Sequence, residues 1–272
     1  MKGISVINLT IDGHIAHVQL GRPAKMNAMG LWFWNGMAPI FEQIDSNTQV
    51  RAVVLSGDGP AFSVGLDLFD VMPSLPFGQG GPDGRRQAEL HALIRRWQDA
   101  VTCVERCRVP VIAAIHGYCL GGGIDLITAC DVRVCSSDAI FSVREVKMGI
   151  VADIGTLQRL PRIIPAGIAR ELALTGRDFD AAYSAQIGLV SRVLSDQNET
   201  LAAAEAIARE IADNAPLAVQ GTKRVLNESH RANIDRELEY VATWNAAHLV
   251  TKDLGRAVEA FATKSKPNFE GD

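Results

Sequence analysis

A run of glycines and five carboxylates, Asp125, Glu145 and Asp153 among them, fall together between Gly117 and Leu160, in GYCLGGGIDLITACDVRVCSSDAIFSVREVKMGIVADIGTLQRL. The run Gly121-Gly122-Gly123 follows an apolar strand and opens Ile124 to Ala129, which reads as a helix start. Unpaired N–H groups at a helix start carry partial positive charge and suit an anion or a developing oxyanion. Asp125, Glu145 and Asp153 each sit among apolar residues. A carboxylate in such surroundings is either paired or held at a raised pKa, and both conditions suit proton transfer. Each piece also has an ordinary structural use. A glycine triplet makes a tight turn. Asp153, before Ile154-Gly155-Thr156, is placed to cap a helix. Glu145, between Arg144 and Lys147, is placed for a surface ion pair. The joint pattern, more than any one member, points to chemistry.

A second glycine-bearing turn, Phe62-Ser63-Val64-Gly65-Leu66-Asp67, also follows a buried strand. Two turns that each aim one backbone N–H at the same oxygen make an oxyanion hole, worth about 3 kcal/mol per donor to a developing enolate. Neither turn has the GxGxxG spacing of a dinucleotide site, and no Gly-Lys-Ser/Thr marks a phosphate loop. None of His14, His17, His91, His116, His230 and His248 sits in HExxH, and there is no G-x-S-x-G elbow. Metal hydrolysis and serine–histidine chemistry are disfavoured, and no metal site is expected. Oxyanion stabilisation beside carboxylate bases remains, a combination suited to proton abstraction next to a carbonyl.

Elements that position these residues are legible in the flanking sequence. Ile4 to Leu20 reads as a β-hairpin about Asp12-Gly13. An amphipathic helix is predicted over Leu31 to Asp45, and buried strands over Arg51 to Ser56 and Val111 to His116. Met72 to Gly84 is a Gly/Pro-rich loop that reads as flexible. Leu90, Leu93, Ile94, Trp97, Val101 and Val104 recur at helical spacing within a long helix from Arg85 to Arg106. Short strands follow over Asp131 to Cys135 and Ala139 to Val143. After Leu160 the chain reads as helices alone: Ala166 to Leu174, Ala181 to Gln186, Leu201 to Ala212, Leu217 to Asn227, Asp235 to His248 and Lys252 to Thr263. Strands interleaved with helices, then helices, predict an α/β core over 1–195 and a helical C-terminal region over 196–272. The stripe Leu238, Val241, Trp244 and Leu249 is either packed on that core or left partly exposed as an interface.

With 272 residues, 47% hydrophobic and 21% charged, the chain has an ordinary globular composition. A core of that size needs no disulfide or metal. The net charge of −4 does not suggest a nucleic-acid-binding surface. The most basic stretch, Arg85 to Arg108, is diluted by Glu89, Asp99 and Glu105 and reads as a solvated helix face. Cys103, Cys107, Cys119, Cys130 and Cys135 form no CxxC pair, and five is a poor number for a disulfide framework. They read as reduced core residues and point to the cytoplasm. The N-terminal MKGISVINLTIDG lacks a signal peptide's apolar stretch, no run has the length of a membrane span, and PNFEGD is not a peroxisomal address. No membrane association is expected.

Several segments together resemble the crotonase, or enoyl-CoA hydratase/isomerase, superfamily over nearly the whole chain. They are Arg22-Pro23 with Asn27-Ala28-Met29, AFSVGLDL at 61–68, HGYCLGGGIDL at 116–126 and KPNF at 266–269. Within it, ADIGTLQRLPRII at 152–164 and GLVSRV at 188–193 look most like the dienoyl-CoA isomerases, which convert 3,5-dienoyl-CoA to 2,4-dienoyl-CoA in fatty-acid β-oxidation. The resemblance implies a spiral of ββα turns with C-terminal helices that build a homotrimer or a dimer of trimers. It implies an acyl-CoA whose thioester oxygen lies between the N–H groups of Leu66 and Gly122, with Val64, Gly65, Leu66, Asp67 and Leu68 lining the CoA site. No further cofactor is implied, because coenzyme A is part of the substrate. Glu145 takes the position of the main acid/base. Asp125 stands where typical hydratases carry a second glutamate, and Asp153 where they carry glycine and dienoyl-CoA isomerases carry aspartate. The alternative is an enoyl-CoA hydratase or a broad-specificity crotonase. Hydration needs two carboxylates on one water, and the shorter Asp125 would hold that water differently. Moving a proton from C2 to C6 needs two carriers spaced along the acyl tail. The Gly149-containing turn between Glu145 and Asp153 would let them lie on opposite sides of one cavity, which the apolar Met148, Ile150 and Val151 would keep dry.

Overall fold

The computed structural model describes residues 6–75 and 83–272. The first residues of the expected hairpin, and the centre of the 72–84 loop, lie outside them. The hairpin pairs β1 (Ile7–Asp12) with β2 (Ile15–Leu20), Asp12 facing Ile15 across Gly13 and His14. Helix α1 (Leu31–Ser46) leads to β3 (Ala52–Gly57), β4 (Ala61–Ser63), the one-turn α2 (Leu68–Val71) and the long α3 (Asp83–Arg106). Then come β5 (Val111–Ile115), β6 (Tyr118–Leu120) and α4 (Gly122–Thr128), followed by β7 (Val132–Ser136) and β8 (Ile140–Ser142). Helices α5 (Thr156–Ile163) and α6 (Ala166–Thr175) precede β9 (Phe179–Asp180), α7 (Ala181–Gln186) and β10 (Arg192–Leu194). The chain ends in α8 (Gln197–Ala212), α9 (Pro216–His248) and α10 (Lys252–Thr263).

Each turn of the chain lays one strand in a first sheet, a shorter strand in a second, and then helix. The six-stranded sheet has the order β1-β2-β3-β5-β7-β10, and the four-stranded sheet the order β4-β6-β8-β9. Strands β3, β5, β7 and β10 run parallel, as do β4, β6 and β8. This is the expected spiral of ββα turns. At the centre of the first sheet β3 and β5 are buried on both faces, so they read as near-continuous apolar runs. Val53, Leu55, Val111, Ala113 and Ile115 face the main core. Their neighbours Ala52, Val54, Ile112 and Ala114 point the other way, onto Ala204 and Ala208 of α8. On the main-core side α1 and α3 are locked by the stacked rings of Trp34 and Trp97, 5.0 Å between centroids.

Two expectations for the region after Leu160 are corrected. It is not helical throughout, because β9 and β10 intervene, with β10 closing the large sheet beside β7. At two and three residues they are too short to show an alternating pattern. The helices expected over Leu217 to Asn227 and Asp235 to His248 are one continuous helix of 33 residues. No proline or glycine interrupts the segment between them, and Ile234 within it is buried. The stripe Leu238, Val241 and Leu249 packs on the chain's own core, whereas Trp244 is exposed and stacks on His248.

Helix α9 is fastened to the sheet by Lys223, whose buried ammonium donates to Asp131 Oδ2 at 2.7 Å and to the Val109 carbonyl at 3.0 Å. The same Asp131 oxygen accepts Val111 N–H at 2.8 Å. Removing one partner of a largely buried ion pair strands the other charge. Asp131→Ala is expected to destabilise the chain by about 3 kcal/mol in urea unfolding; a change within about 0.5 kcal/mol, the range of ordinary surface substitutions, contradicts this account of how α9 is held.

Candidate active site

The turn after β4 and the turn after β6 touch. Gly65 has φ +82, and a Cβ on it would stand 2.7 Å from the Leu120 carbonyl and 3.0 Å from Gly122 N. Only glycine permits that approach. Gly121, at φ +50, is likewise confined to glycine, and a Cβ there would stand 3.5 Å from Glu145 Oε1. Met29 N–H donates to Gly65 O at 2.7 Å and Asp67 N–H to Met29 O at 3.0 Å, so Leu66 between them turns its own N–H away from this ladder. Gly122 is the first residue of α4, where no intrahelical acceptor exists. Among the described residues neither N–H has an acceptor. A Cβ on Gly122 would lie 3.9 Å from Leu66 N, so the two free donors are neighbours.

The first glycine turn is braced by residues whose role is not apparent from sequence. Asn27, fully buried at φ +54, donates to the carbonyls of Asp58 and Ala61 at 2.8 Å each. Arg22 pairs with Asp67 at 2.7 Å, and Asp67 also caps α2. The Asp67 side chain is thus spent on the scaffold. Val64, Leu66 and Leu68, half-buried, flank the free donors, with Gly65 buried between Val64 and Leu66.

Glu145 opens a single 3-10 turn, Glu145–Met148, ended by Gly149 at φ +68. Among the described residues it forms no ion pair. Arg144 engages Asp178 with both carboxylate oxygens, at 2.6 and 2.7 Å. Glu145 turns inward instead, and its Oε2 is buried with no hydrogen-bond partner. Burial pushes its pKa from 4.5 up to about 8, with the Asp125 and Asp153 charges adding to the rise. Asp125, 1% exposed on α4, accepts Thr156 N–H at 2.6 Å. Burial raises it to about 6, opposed by Thr156 and by the Arg159 guanidinium. Asp153 lies in the loop beyond Gly149, and burial raises it to about 7, opposed by a hydrogen bond from Asn245.

Asp153 is not a helix cap. Helix α5 begins at Thr156, its N-cap Gly155 offers no side chain, and the free Thr156 N–H is satisfied by Asp125 from α4. The linker Met148, Ile150 and Val151 is half-buried, with Ile150 packed against the core. Sequence reasoning did not find Asn245 or Gln98. Asn245 lies seven residues after Leu238 and four after Val241, so it falls on the buried stripe of α9. A polar side chain on such a stripe is the signal that was available.

Because the folded protein holds these protons more tightly than the unfolded chain, the linkage has a definite sign. Glu145's contribution to stability is complete below its ordinary pKa of 4.5 and is lost as pH rises through about 8. Glutamine never ionises. The Tm of Glu145→Gln relative to the parent is expected to climb from about pH 5 to about pH 9. A Tm difference that does not vary with pH refutes the raised proton affinity of this carboxylate.

The family model described as enoyl-CoA hydratase/isomerase matches residues 10–272. A peroxisomal Delta(3,5)-Delta(2,4)-dienoyl-CoA isomerase of Arabidopsis thaliana is 44% identical over 269 residues, which are 98% of this chain and 97% of that protein. A short-chain-enoyl-CoA hydratase of Clostridium acetobutylicum is 32% identical over 94% of each chain. Among solved structures, an enoyl-CoA hydratase/isomerase from Mycobacterium paratuberculosis matches with a TM-score of 0.84 at 28% identity, over 95% of this chain and 99% of that one. With paired glycine turns, free N–H donors and three carboxylates of raised proton affinity carried on a spiral of ββα turns, the chain belongs to the enoyl-CoA hydratase/isomerase family.

Proposed function

We propose that the protein is a dienoyl-CoA isomerase of fatty-acid β-oxidation, converting 3,5-dienoyl-CoA to 2,4-dienoyl-CoA. One observation carries the reading: Asp125, Glu145 and Asp153 share a field beside two free N–H donors, and the Glu145 carboxylate keeps an unpartnered oxygen. In this reading the thioester oxygen accepts hydrogen bonds from Leu66 and Gly122, and the CoA passes along Val64 to Leu68. Ionised Glu145 removes a proton from C2. The electron pair spreads through the conjugated chain onto the thioester oxygen, where the two N–H groups stabilise it by about 3 kcal/mol each. Protonated Asp153 then delivers a proton to C6 as the carbonyl re-forms, leaving double bonds at C2 and C4. Glu145 ends protonated and Asp153 ionised, so one proton must pass back before the next turnover. Only protons move, and the reaction calls for no cofactor beyond the CoA of the substrate.

The productive state holds one proton on the Glu145–Asp153 pair. With Glu145 raised to about 8 and Asp153 to about 7, the singly protonated pair peaks near neutral pH with its proton mostly on Glu145, so the productive form, protonated on Asp153, is the minor tautomer, and the apparent pKa values belong to the pair. The hydratase reading ranks second. It requires Asp125 to share a water with Glu145, yet Asp125 is engaged by Thr156 N–H at 2.6 Å. The greater identity to the isomerase than to the hydratase supports the same order.

Assembly and compartment extend the proposal. We infer a trimer, or a dimer of trimers, supported by the exposed Leu217, Val225, Tyr240, Val250 and Phe261 on or beside the last two helices. The cytoplasm is supported by five unpaired cysteines whose thiols burial pushes up, Cys103, Cys107 and Cys130 to about 12. Among the described residues no helix is long and apolar enough to cross a membrane.

Glu145→Gln is expected to lose about 100- to 10,000-fold in turnover of 3,5-dienoyl-CoA, followed by dienoyl absorbance. Asp153→Asn is expected to keep exchange of the C2 proton with deuterated solvent, read by mass spectrometry, while forming little 2,4-diene. Normal isomerisation by Asp153→Asn, or exchange and isomerisation falling together, removes Asp153 as a separate proton carrier. Rapid loss of crotonyl-CoA absorbance with no action on the 3,5-diene reverses the ranking in favour of hydratase. Sedimentation is expected to give a trimer or a multiple of three; a stable monomer at micromolar concentration contradicts the assembly.

A further inference from the structure

The C-terminal helical region reaches into the candidate site through one amide. Asn245 of α9 is 2% exposed, and its Nδ2 donates to Asp153 Oδ2 at 2.7 Å and to the Val151 carbonyl at 2.8 Å. Both hydrogens of the amide are therefore committed. A flipped amide would set its oxygen against two acceptors, so the orientation is unique. Behind it, Gln98 of α3, 1% exposed, donates to the Asp153 carbonyl at 2.7 Å and to the Leu238 carbonyl at 3.0 Å. Arg95 donates to Gln98 Oε1 at 2.7 Å, which fixes that amide as well. Two helices thus hold one loop residue by different groups: Gln98 holds the Asp153 backbone, and Asn245 holds its carboxylate.

The consequence is an asymmetry between the two Asp153 oxygens. Oδ2 faces an N–H donor and cannot carry a proton toward it. Among the described residues no side chain donates to Oδ1. The carbonyl oxygen of a carboxylic acid is a better acceptor than its hydroxyl, so the bond from Asn245 to Oδ2 favours the hydrogen of a protonated Asp153 on Oδ1. The charged groups bearing on the loop are Asp125 of α4, which raises Asp153, and Glu145, which Asp153 raises in turn; Arg159 of α5 acts on Asp125.

We propose that Asn245 is a positioning residue for the second proton carrier: it selects Oδ1 of Asp153 as the oxygen that carries and delivers the proton. This rests on the assignment of Asp153 under the proposed isomerase reaction. It gives α9 a part in the chemistry beyond any part in assembly. The donor also favours the ionised form of Asp153, which makes the protonated form a stronger acid toward a carbon acceptor.

The test uses the full-length protein with 3,5-dienoyl-CoA. Asn245→Leu removes the donor and keeps the approximate volume. It is expected to retain C2 exchange within a few fold of the parent while 2,4-diene formation falls by about 100-fold, the scale of a misplaced reacting group. The alkaline limb of its pH–rate profile is expected to move to higher pH, because the ionised form of Asp153 has lost its donor. Gln98→Leu loosens the same loop through its backbone and is expected to leave the alkaline limb where it is. If Asn245→Leu does not fold, Asn245→Ala, smaller and equally without a donor, is read in the same way, with the limb again displaced upward. An unmoved alkaline limb in the Asn245 variant, or equal loss of exchange and isomerisation, overturns the proposal, since a merely structural amide would behave so. Asp153→Asn separates the two levels. If it isomerises normally, the role of Asp153 falls and that of Asn245 with it. If it loses isomerisation while Asn245→Leu behaves as the parent, the inference alone fails. In the Asp153→Asn background, Asn245→Leu is expected to add no further loss.

Discussion

A buried carboxylate oxygen without a hydrogen-bond donor is unfavourable in a folded protein, and Glu145 Oε2 is in that state. The surrounding structure accounts for its persistence. The Glu145 turn follows β8, whose strand is paired on both sides within the small sheet, so its position is imposed by the layered core. Arg144, the neighbouring cation best placed to neutralise it, is drawn outward by Asp178. With burial as the main cause and the Asp125 and Asp153 charges adding to it, the proton affinity of Glu145 rises into the neutral range. A carboxylate tuned this way can both take and return a proton near pH 7.

The two glycine turns depend on the same arrangement. Strands β4 and β6 are three residues each, too short for independent stability, and derive their order from the larger sheet they lie against. Their parallel pairing brings Gly65 against Gly121 and Gly122, and the absence of side chains lets the backbones meet. The N–H groups of Leu66 and Gly122 remain unpaired because the ladder through Met29 uses the residues on either side of Leu66, and because Gly122 begins a helix. Asn27 and the Arg22–Asp67 pair hold the first turn in place. The donors are thus preorganised, which is what allows backbone N–H groups to stabilise an oxyanion without reorganising around it.

The three carboxylates differ by their neighbours more than by their type. Asp125 is tied to the start of α5, Asp153 to an amide from α9, and Glu145 Oε2 to nothing. Asp125 thereby takes the capping duty that sequence position suggested for Asp153. Division of labour among like groups follows from which hydrogen bonds the fold leaves open.

The sequence by itself determined the local elements and the reactive inventory. Apolar runs such as VIAAI, the Leu90 to Val104 helical stripe and the Asp12-Gly13 turn report local patterning, and they correspond to β5, α3 and the hairpin. The glycine turns and the three acids were likewise visible as residue types in apolar surroundings. Tertiary structure alone decided the rest. It joined two predicted helices into α9, added β9 and β10, and buried Leu238, Val241 and Leu249 within the chain. It also turned Glu145 away from Arg144 and Lys147, and set Asn245 on Asp153 across 92 residues of sequence. Short strands, and polar contacts between distant segments, leave no periodic signal, because their hydrogen bonds are chosen by which surfaces the packed layers bring together.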